Sequence, residues 1–137
     1  MFDKILVAVD GSSQSSKTIA TAVEVARRFE AGVTVLHVRE HGRYDGSDVD
    51  LGPPTDAQAL VDEVVARFSA AGIDASGEVR RVTPGSTPKE IVDVANEAGA
   101  GLIVIGTRGM TEWKSLMLGG VANKVVVHAS CPVLLVR

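Results

Sequence analysis

Cysteine is almost absent from the sequence, which contains one such residue, Cys131, among 137. An intrachain disulfide is therefore impossible. The next residues, Pro132, Val133 and Leu134, are apolar, and this context favours a packed thiol over a reactive one. We expect Cys131 to be a structural residue.

Long apolar runs and clusters of positive charge are also missing. No run approaches the roughly 20 apolar residues that cross a bilayer, and no cluster of five or more Lys and Arg occurs. The formal net charge is −3, whereas a nucleic-acid-binding protein usually carries a basic stripe. Residues 1–10 lack the basic segment and cleavage site of a signal peptide. These absences predict a soluble, cytoplasmic protein with no nucleic acid or membrane partner.

Short apolar segments alternate with helical patterns along the chain. Near-continuous runs of Val, Ile and Leu predict strands covered on both faces, as in a parallel sheet. These runs are residues 4–9, 33–38, 102–105 and 133–136. Residues 78–83 alternate apolar and charged side chains, which is typical of an edge strand. Helices are predicted in the four intervals: after Ser13 up to a C-terminal cap at Gly32, over 56–71, from Thr87, and from about Gly119.

This order predicts an α/β fold in three layers, with an open five-stranded parallel sheet, helices on both faces, and residues 1–137 forming one domain. In such sheets ligands bind outside the carboxyl ends of the strands, where the strand order reverses. The loops that begin at Asp10 and Gly106 are expected to meet there.

Three local features carry further predictions. Thr87, Pro88 and Glu90 have the spacing of an N-cap, a first helical residue and a capping box. Residues 39–54 are polar and contain three glycines and two prolines, so we predict a long loop that is mobile or a partial lid. His37 has no second His or Cys at ligand spacing and is interpreted as a satisfied structural histidine.

Four glycines occur in the segment GTRGMTEWKSLMLGG, residues 106–120, directly after an apolar strand. Glycines give a ligand access to backbone amides, and amides at a helix N-terminus bind phosphate oxygens. Arg108 adds positive charge. Asp10 has the opposite sign, and a carboxylate beside phosphate is repulsive unless a cation such as Mg²⁺ bridges them.

The residues alone leave two interpretations open. Neither established phosphate-binding pattern, G-x-x-x-x-G-K-[ST] or G-x-G-x-x-G after the first strand, is present. The glycines could serve only to turn the chain, and Asp10 could cap the loop before the first helix. No histidine is identifiable as a general base for the serines that follow the first strand, so catalysis has little support.

The spacing Gly106-x2-Gly109-x9-Gly119 resembles the nucleotide-binding motif of the universal stress protein family. Other features agree: Asp10-Gly11-Ser12 after the first strand, His37-Val38 in the second, a turn at Gly85, and the terminal CPVLLVR. The resemblance implies a Rossmann-like fold, similar to that of adenine nucleotide alpha hydrolases, with strand order 3-2-1-4-5. It also implies a stress-response protein that binds ATP or another adenine nucleotide with Mg²⁺. A homodimer through residues 132–137 and a protein partner of unknown identity are further implications.

The resemblance also implies a set of site residues. Asp10 is the implied metal ligand, and the backbone of Val38 is the implied reader of the adenine edge. Gly120 departs from the family pattern, in which Ser or Thr usually follows the third glycine; the missing hydroxyl is expected to weaken binding roughly 10- to 150-fold. The full set of implied nucleotide-binding residues is Ala8, Val9, Asp10, Val38, Gly106, Arg108, Gly109, Gly119, Gly120 and Val121.

Two alternatives remain beside a nucleotide-binding regulatory protein. One is a nucleotide-free dimeric interaction module of the same fold. The other is a slow ATPase, although enzymatic activity is not the expected function.

Overall fold

The computed structural model describes residues 1–11, 15–50, 56–107 and 120–137. Within these ranges six strands and four helices are present. The strands are β1 (Lys4–Ala8), β2 (Gly32–Tyr44), β3 (Ser47–Asp50), β4 (Ala75–Val82), β5 (Leu102–Gly106) and β6 (Val133–Val136). The helices are α1 (Ser15–Phe29), α2 (Ala57–Ala70), α3 (Thr87–Ala98) and α4 (Gly120–His128). In the described ranges, no helix has the length and apolarity required to span a membrane.

Five of the strands form a parallel sheet with β1 in the middle. β1 pairs with β2 on one side and with β5 on the other, while β4 extends the sheet beyond β2 and β6 extends it beyond β5. The order β4-β2-β1-β5-β6 is the predicted 3-2-1-4-5 once β3 is left out. The α/β fold is therefore confirmed, and the five parallel strands follow the implied order, but the predicted count of five strands is wrong because β3 is a sixth.

The sixth strand corrects the prediction of a long loop over residues 39–54. β2 continues to Tyr44, and β3 pairs with it antiparallel from His41↔Asp50 to Tyr44↔Ser47. Asp45 and Gly46 form the turn with φ of 50° and 77°, and Asp-Gly is a preferred sequence for such a two-residue hairpin turn. The sheet is mixed and six-stranded because this hairpin extends it; residues 51–54 of the predicted loop lie outside the described residues.

Two further predictions about helix ends are wrong. α1 ends at Phe29, where Glu30 takes φ of 51° and the Ala31 amide donates to the Ala26 carbonyl, so Gly32 opens β2 and caps no helix. The N-cap of α3 is Ser86, with no side-chain capping bond. The Thr87 hydroxyl instead donates to Glu40 Oε2 at 2.9 Å, because β2 brings a carboxylate into its reach.

Two apolar clusters cover the faces of the sheet. On one face α1 and α2 pack against inward side chains of β1 and β2, such as Val7 and Val35. On the other face α3 and α4 pack against Leu6, Leu36 and Ile103. Cys131 is half-buried against this second cluster, and burial raises the pKa of its thiol, as expected for a packed and unreactive residue.

Gly77 allows α2 to lie close to β4. A Cβ at this position would collide with Cγ1 of Val61 and lie 3.0 Å from Cγ2 of Val65. Val61 is fully buried, so neither its side chain nor the helix can move aside without disturbing the core.

We predict that Gly77→Ala lowers the free energy of unfolding by about 1–3 kcal/mol through overpacking. Gly32→Ala is the matched control, because its Cβ would be in ordinary contact, 3.8 Å from the Asp74 carbonyl. Urea unfolding of both variants measures the difference. Equal stability of the two variants would contradict the close packing of α2 on β4.

Candidate functional site

The carboxyl end of β1 lies between the ends of β2 and β5. Ala8 is the last paired residue of β1, opposite Leu36 on one side and Ile105 on the other. Ala8 is half-buried and Val9 is buried. The Val9 amide donates to the Leu36 carbonyl at 2.9 Å, which is the last backbone bond between these two chain segments in the described residues.

His37 occupies the position next to this last bond. Its side chain is 5% exposed, and Nδ1 lies 2.7 Å from the Val9 carbonyl oxygen. Because a carbonyl can only accept, Nδ1 carries the proton and donates. Nε2 is buried without a hydrogen-bond partner among the residues that the structure describes. The expected satisfied structural histidine is therefore satisfied at one nitrogen only.

Asp10 and Gly11 follow at the exposed edge of the sheet. Both are exposed, and Gly11 has φ of 83°, a backbone conformation that strongly favours glycine. Asp10 therefore lies at the carboxyl edge of the sheet, just after the end of β1. We refer to the space at this edge beyond the end of β1, between β2 and Gly106 of β5, as the crevice.

Gly106 forms the opposite wall of the crevice. It is the last residue of β5 and pairs with Val136 of β6. The next residue, Thr107, donates to the Val136 carbonyl both from its amide, at 2.8 Å, and from its hydroxyl, at 3.3 Å. The chain leaving β5 is therefore held on the β6 side, away from β1.

The first residues of α4 point to the same edge of the sheet. A connection of only four residues, 129–132, joins the end of α4 to the start of β6, so the helix runs antiparallel to the strands and its N-terminus lies toward their carboxyl ends. Gly120 and Val121 are exposed there. A Cβ at Gly120 would meet no described atom within 4 Å.

A sequence profile described as "Universal stress protein family" matches residues 1–137. The chain belongs to this family. It is 32% identical to "Universal stress protein YxiE" of Bacillus subtilis over 149 aligned positions that cover 100% of both chains. A universal stress protein of Archaeoglobus fulgidus superposes with a TM-score of 0.77 at 26% identity and full coverage of both chains. The structure titled as that organism's universal stress protein in complex with dAMP gives 0.72, again at 26% identity and full coverage.

Seven of the ten residues that the family resemblance implied are described. Two of them, Gly120 and Val121, begin α4, whose N-terminus lies toward the carboxyl edge of the sheet because the helix runs antiparallel to the strands. Five of the seven come from strand ends or the turn after β1: Ala8, Val9, Asp10, Val38 and Gly106. Arg108, Gly109 and Gly119 lie outside the described residues.

The hairpin beside Val38 contributes charged residues that the sequence did not point to. Arg81 of β4 donates to Asp50 Oδ1 at 2.9 Å and reaches Asp48 Oδ2 at 3.4 Å. His41 Nδ1 lies 2.8 Å from Asp48 Oδ1. The Asp-Gly turn and the alternating charges of residues 39–50 were the signals in the sequence that could have indicated this hairpin. They were missed because the polar composition of the segment favoured a loop.

The crevice offers backbone groups and one carboxylate rather than a preformed metal cage. In the described ranges, no group of three or more His, Cys, Asp or Glu residues is arranged to hold a metal ion. Asp10 could supply one ligand to a cation whose other ligands come from a bound molecule or water, which is the usual way that Mg²⁺ is held beside phosphates.

The hydrogen bond with His41 lowers the pKa of Asp48 below its ordinary value, with further lowering by the charge of Arg81. A carboxyl group with a lowered folded-state pKa stabilises the fold above its unfolded-state pKa, and this contribution is lost as the pH falls through the folded-state pKa.

We predict that His41→Phe raises the pKa of Asp48 toward the ordinary value and flattens the loss of stability between about pH 5 and pH 2. Carboxyl NMR titration and thermal unfolding over this range measure the two effects. In an Asp48→Asn background, which has no carboxyl group at this position, His41→Phe should leave the pH dependence of stability over this range unchanged. An unaltered Asp48 titration in the single variant would contradict the assignment.

Proposed function

We propose that this universal stress protein is a cytoplasmic regulatory protein that binds an adenine nucleotide, ATP with Mg²⁺, in the crevice between the ends of β1 and β5. The observation that carries the proposal is the end of the β1–β2 ladder at Ala8↔Leu36. Beyond this pair β2 continues while β1 turns away, so backbone groups of β2 face the crevice. The structural similarity to a family member whose complex with dAMP has been solved supports the same ligand class.

Val38 supplies the groups that recognise the base. The Leu36 carbonyl faces β1, and backbone groups of alternate residues in a strand face the same edge. The N–H and C=O of Val38 therefore face the β1 side, where β1 has ended. A neighbouring donor and acceptor match the N1 and amino group of an adenine edge, and this match selects adenine over a base with the opposite pattern.

The phosphates and the metal are bound at the other side of the crevice. The amides of Gly120 and Val121 begin α4 and carry the positive end of the helix dipole. Asp10 provides the carboxylate for Mg²⁺, which neutralises its repulsion from the phosphates. Arg108, Gly109 and Gly119 complete this part of the proposed site on the basis of the family motif.

We predict that saturating Mg-ATP stabilises the protein. A ligand at 100 times its Kd adds about 2.7 kcal/mol, which corresponds to roughly 9 °C in the unfolding temperature of a chain of this size. Thermal unfolding with Mg-ATP, Mg-GTP and Mg²⁺ alone measures the shift and its base preference. No shift at millimolar Mg-ATP would reject the proposal and favour a nucleotide-free interaction module.

Gly120→Ser extends this test to the phosphate side. Among the described residues, no atom lies within 4 Å of a Cβ at Gly120, and a charge-assisted hydroxyl contact should tighten ATP binding roughly 10- to 150-fold. Gly120→Ala is the matched control, since it adds the Cβ without the hydroxyl. Equal affinity of the two variants in calorimetric titration would contradict a phosphate position at the start of α4.

A homodimer through residues 132–137 is part of the proposal. The carbonyl of Pro132 accepts from Ile103 of β5, and that of Val136 accepts from Thr107 directly after β5, so the backbone of Leu135 faces the outer edge of β6. In the described residues nothing pairs with that edge, and an open apolar edge favours pairing with a second copy.

We predict that Leu135→Pro converts the dimer to a monomer, because proline removes an outward N–H that only the partner strand would use. Sedimentation velocity over a range of concentrations measures the change. Leu134→Pro, which removes an N–H facing β5, should instead destabilise the monomer fold. A Leu135→Pro protein that remains dimeric would place the interface elsewhere.

A further inference from the structure

The Val9 carbonyl has an unexpected partner. In a parallel ladder, a residue whose N–H donates to one residue of the partner strand accepts, at its own carbonyl, from the N–H two residues further along that strand. Val9 donates to the Leu36 carbonyl. The next donor to the Val9 carbonyl would thus be the Val38 N–H. Instead, the pairing stops at Ala8↔Leu36, and the carbonyl accepts from Nδ1 of His37 at 2.7 Å.

We propose that His37 is a positioning residue of the nucleotide site, which ends the β1–β2 ladder and so keeps the Val38 amide available to the base. The imidazole replaces the Val38 N–H as the donor to the Val9 carbonyl. It approaches this carbonyl from the face of the sheet that α1 covers, so the carbonyl is already satisfied without a bond from Val38. This inference rests on the proposed function for its ligand, but its effect on the ladder does not require any ligand.

Energetic considerations agree with a role beyond packing. Val33 and Val35 lie on the same face of β2 as His37 and are buried in the apolar cluster under α1 and α2. An aliphatic side chain would continue this pattern without burying a polar atom. His37 instead buries Nε2 with no partner in the described ranges, a cost that offsets much of the gain from the Nδ1 bond.

The same bond fixes the position of Asp10. Val9 is held to β2 twice, through its amide to Leu36 and through its carbonyl to His37. Asp10 follows directly, so the backbone that carries the proposed metal ligand is set relative to the strand that carries the proposed base reader. The buried imidazole of His37 thereby connects the segment that carries Asp10 with the strand that carries Val38.

A set of three variants tests the inference. His37→Asn keeps an N–H donor close to the position of Nδ1, His37→Gln moves it one bond further out, and His37→Leu removes it. We expect the affinity for Mg-ATP to fall roughly 3- to 10-fold in the Leu and Gln variants, the range of one lost hydrogen bond, and to be largely retained in the Asn variant. Equal losses in all three variants would indicate a packing role and overturn the proposal.

Hydrogen exchange of the Val38 amide provides a readout that needs no nucleotide. In the free wild-type protein we expect this amide to exchange much faster than that of Leu36, since no strand pairs with it. In His37→Leu the ladder can extend by one bond, so the Val38 amide should become protected by at least about tenfold. The same slow exchange in the wild-type protein and the Leu variant would overturn the proposal, whether or not nucleotide binds.

The two measurements separate this inference from the proposed function. If the wild-type protein shows no affinity for Mg-ATP but the Val38 amide gains protection in His37→Leu, the nucleotide assignment fails and the role of His37 in ending the ladder stands. If wild-type protein binds Mg-ATP and the Leu variant binds it equally well with unchanged exchange, the nucleotide assignment stands and the role of His37 fails. The ¹⁵N spectrum of the imidazole adds an independent check, because the neutral ring must carry its proton on Nδ1.

Discussion

The proposed site depends on one constraint, the premature end of hydrogen bonding between the two central strands. A parallel ladder satisfies backbone groups only while both strands continue. β1 stops pairing at Ala8, whereas β2 runs on to Tyr44. The groups of β2 beyond Leu36 that face β1 must find another partner, and the crevice that opens there is bounded by Gly106 on the far side. The rest of the molecule holds these three segments in fixed positions.

That fixed arrangement has several independent supports. The two apolar clusters clamp the sheet between helix pairs, and Thr107 ties the exit of β5 to β6. On the other side, Glu40 accepts from Thr87 and so joins the extension of β2 to α3. Arg81 holds the hairpin through Asp48 and Asp50. A crevice with walls anchored in this way can remain open without collapsing, which lowers the ordering cost of binding a ligand.

Backbone recognition has a consequence for how the family's members can differ. Where main-chain amides and carbonyls read the base, the side chains at those positions can vary without loss of the contact. A chain that is only 26% identical to a relative solved with dAMP can therefore still present the backbone groups that the proposed site uses. In the proposed site, residue identity matters at fewer points: Asp10 as the proposed metal ligand, Gly120 at the start of α4, and His37 as the proposed positioning residue.

The sequence by itself determined the alternation of strands and helices, because buried apolar runs are local signals. The order of the parallel strands was implied by the resemblance to the universal stress protein family. The sequence did not reveal the hairpin formed by β3 and the end of β2, because the residues of that hairpin are mostly polar. The sequence also did not predict that the Thr87 hydroxyl bonds to Glu40 instead of capping α3, or that His37 bonds to Val9. The two partners are 47 residues apart in the first bond and 28 residues apart in the second. Only the tertiary structure decides such contacts, since a side chain with several possible partners bonds to whichever one the fold brings within reach.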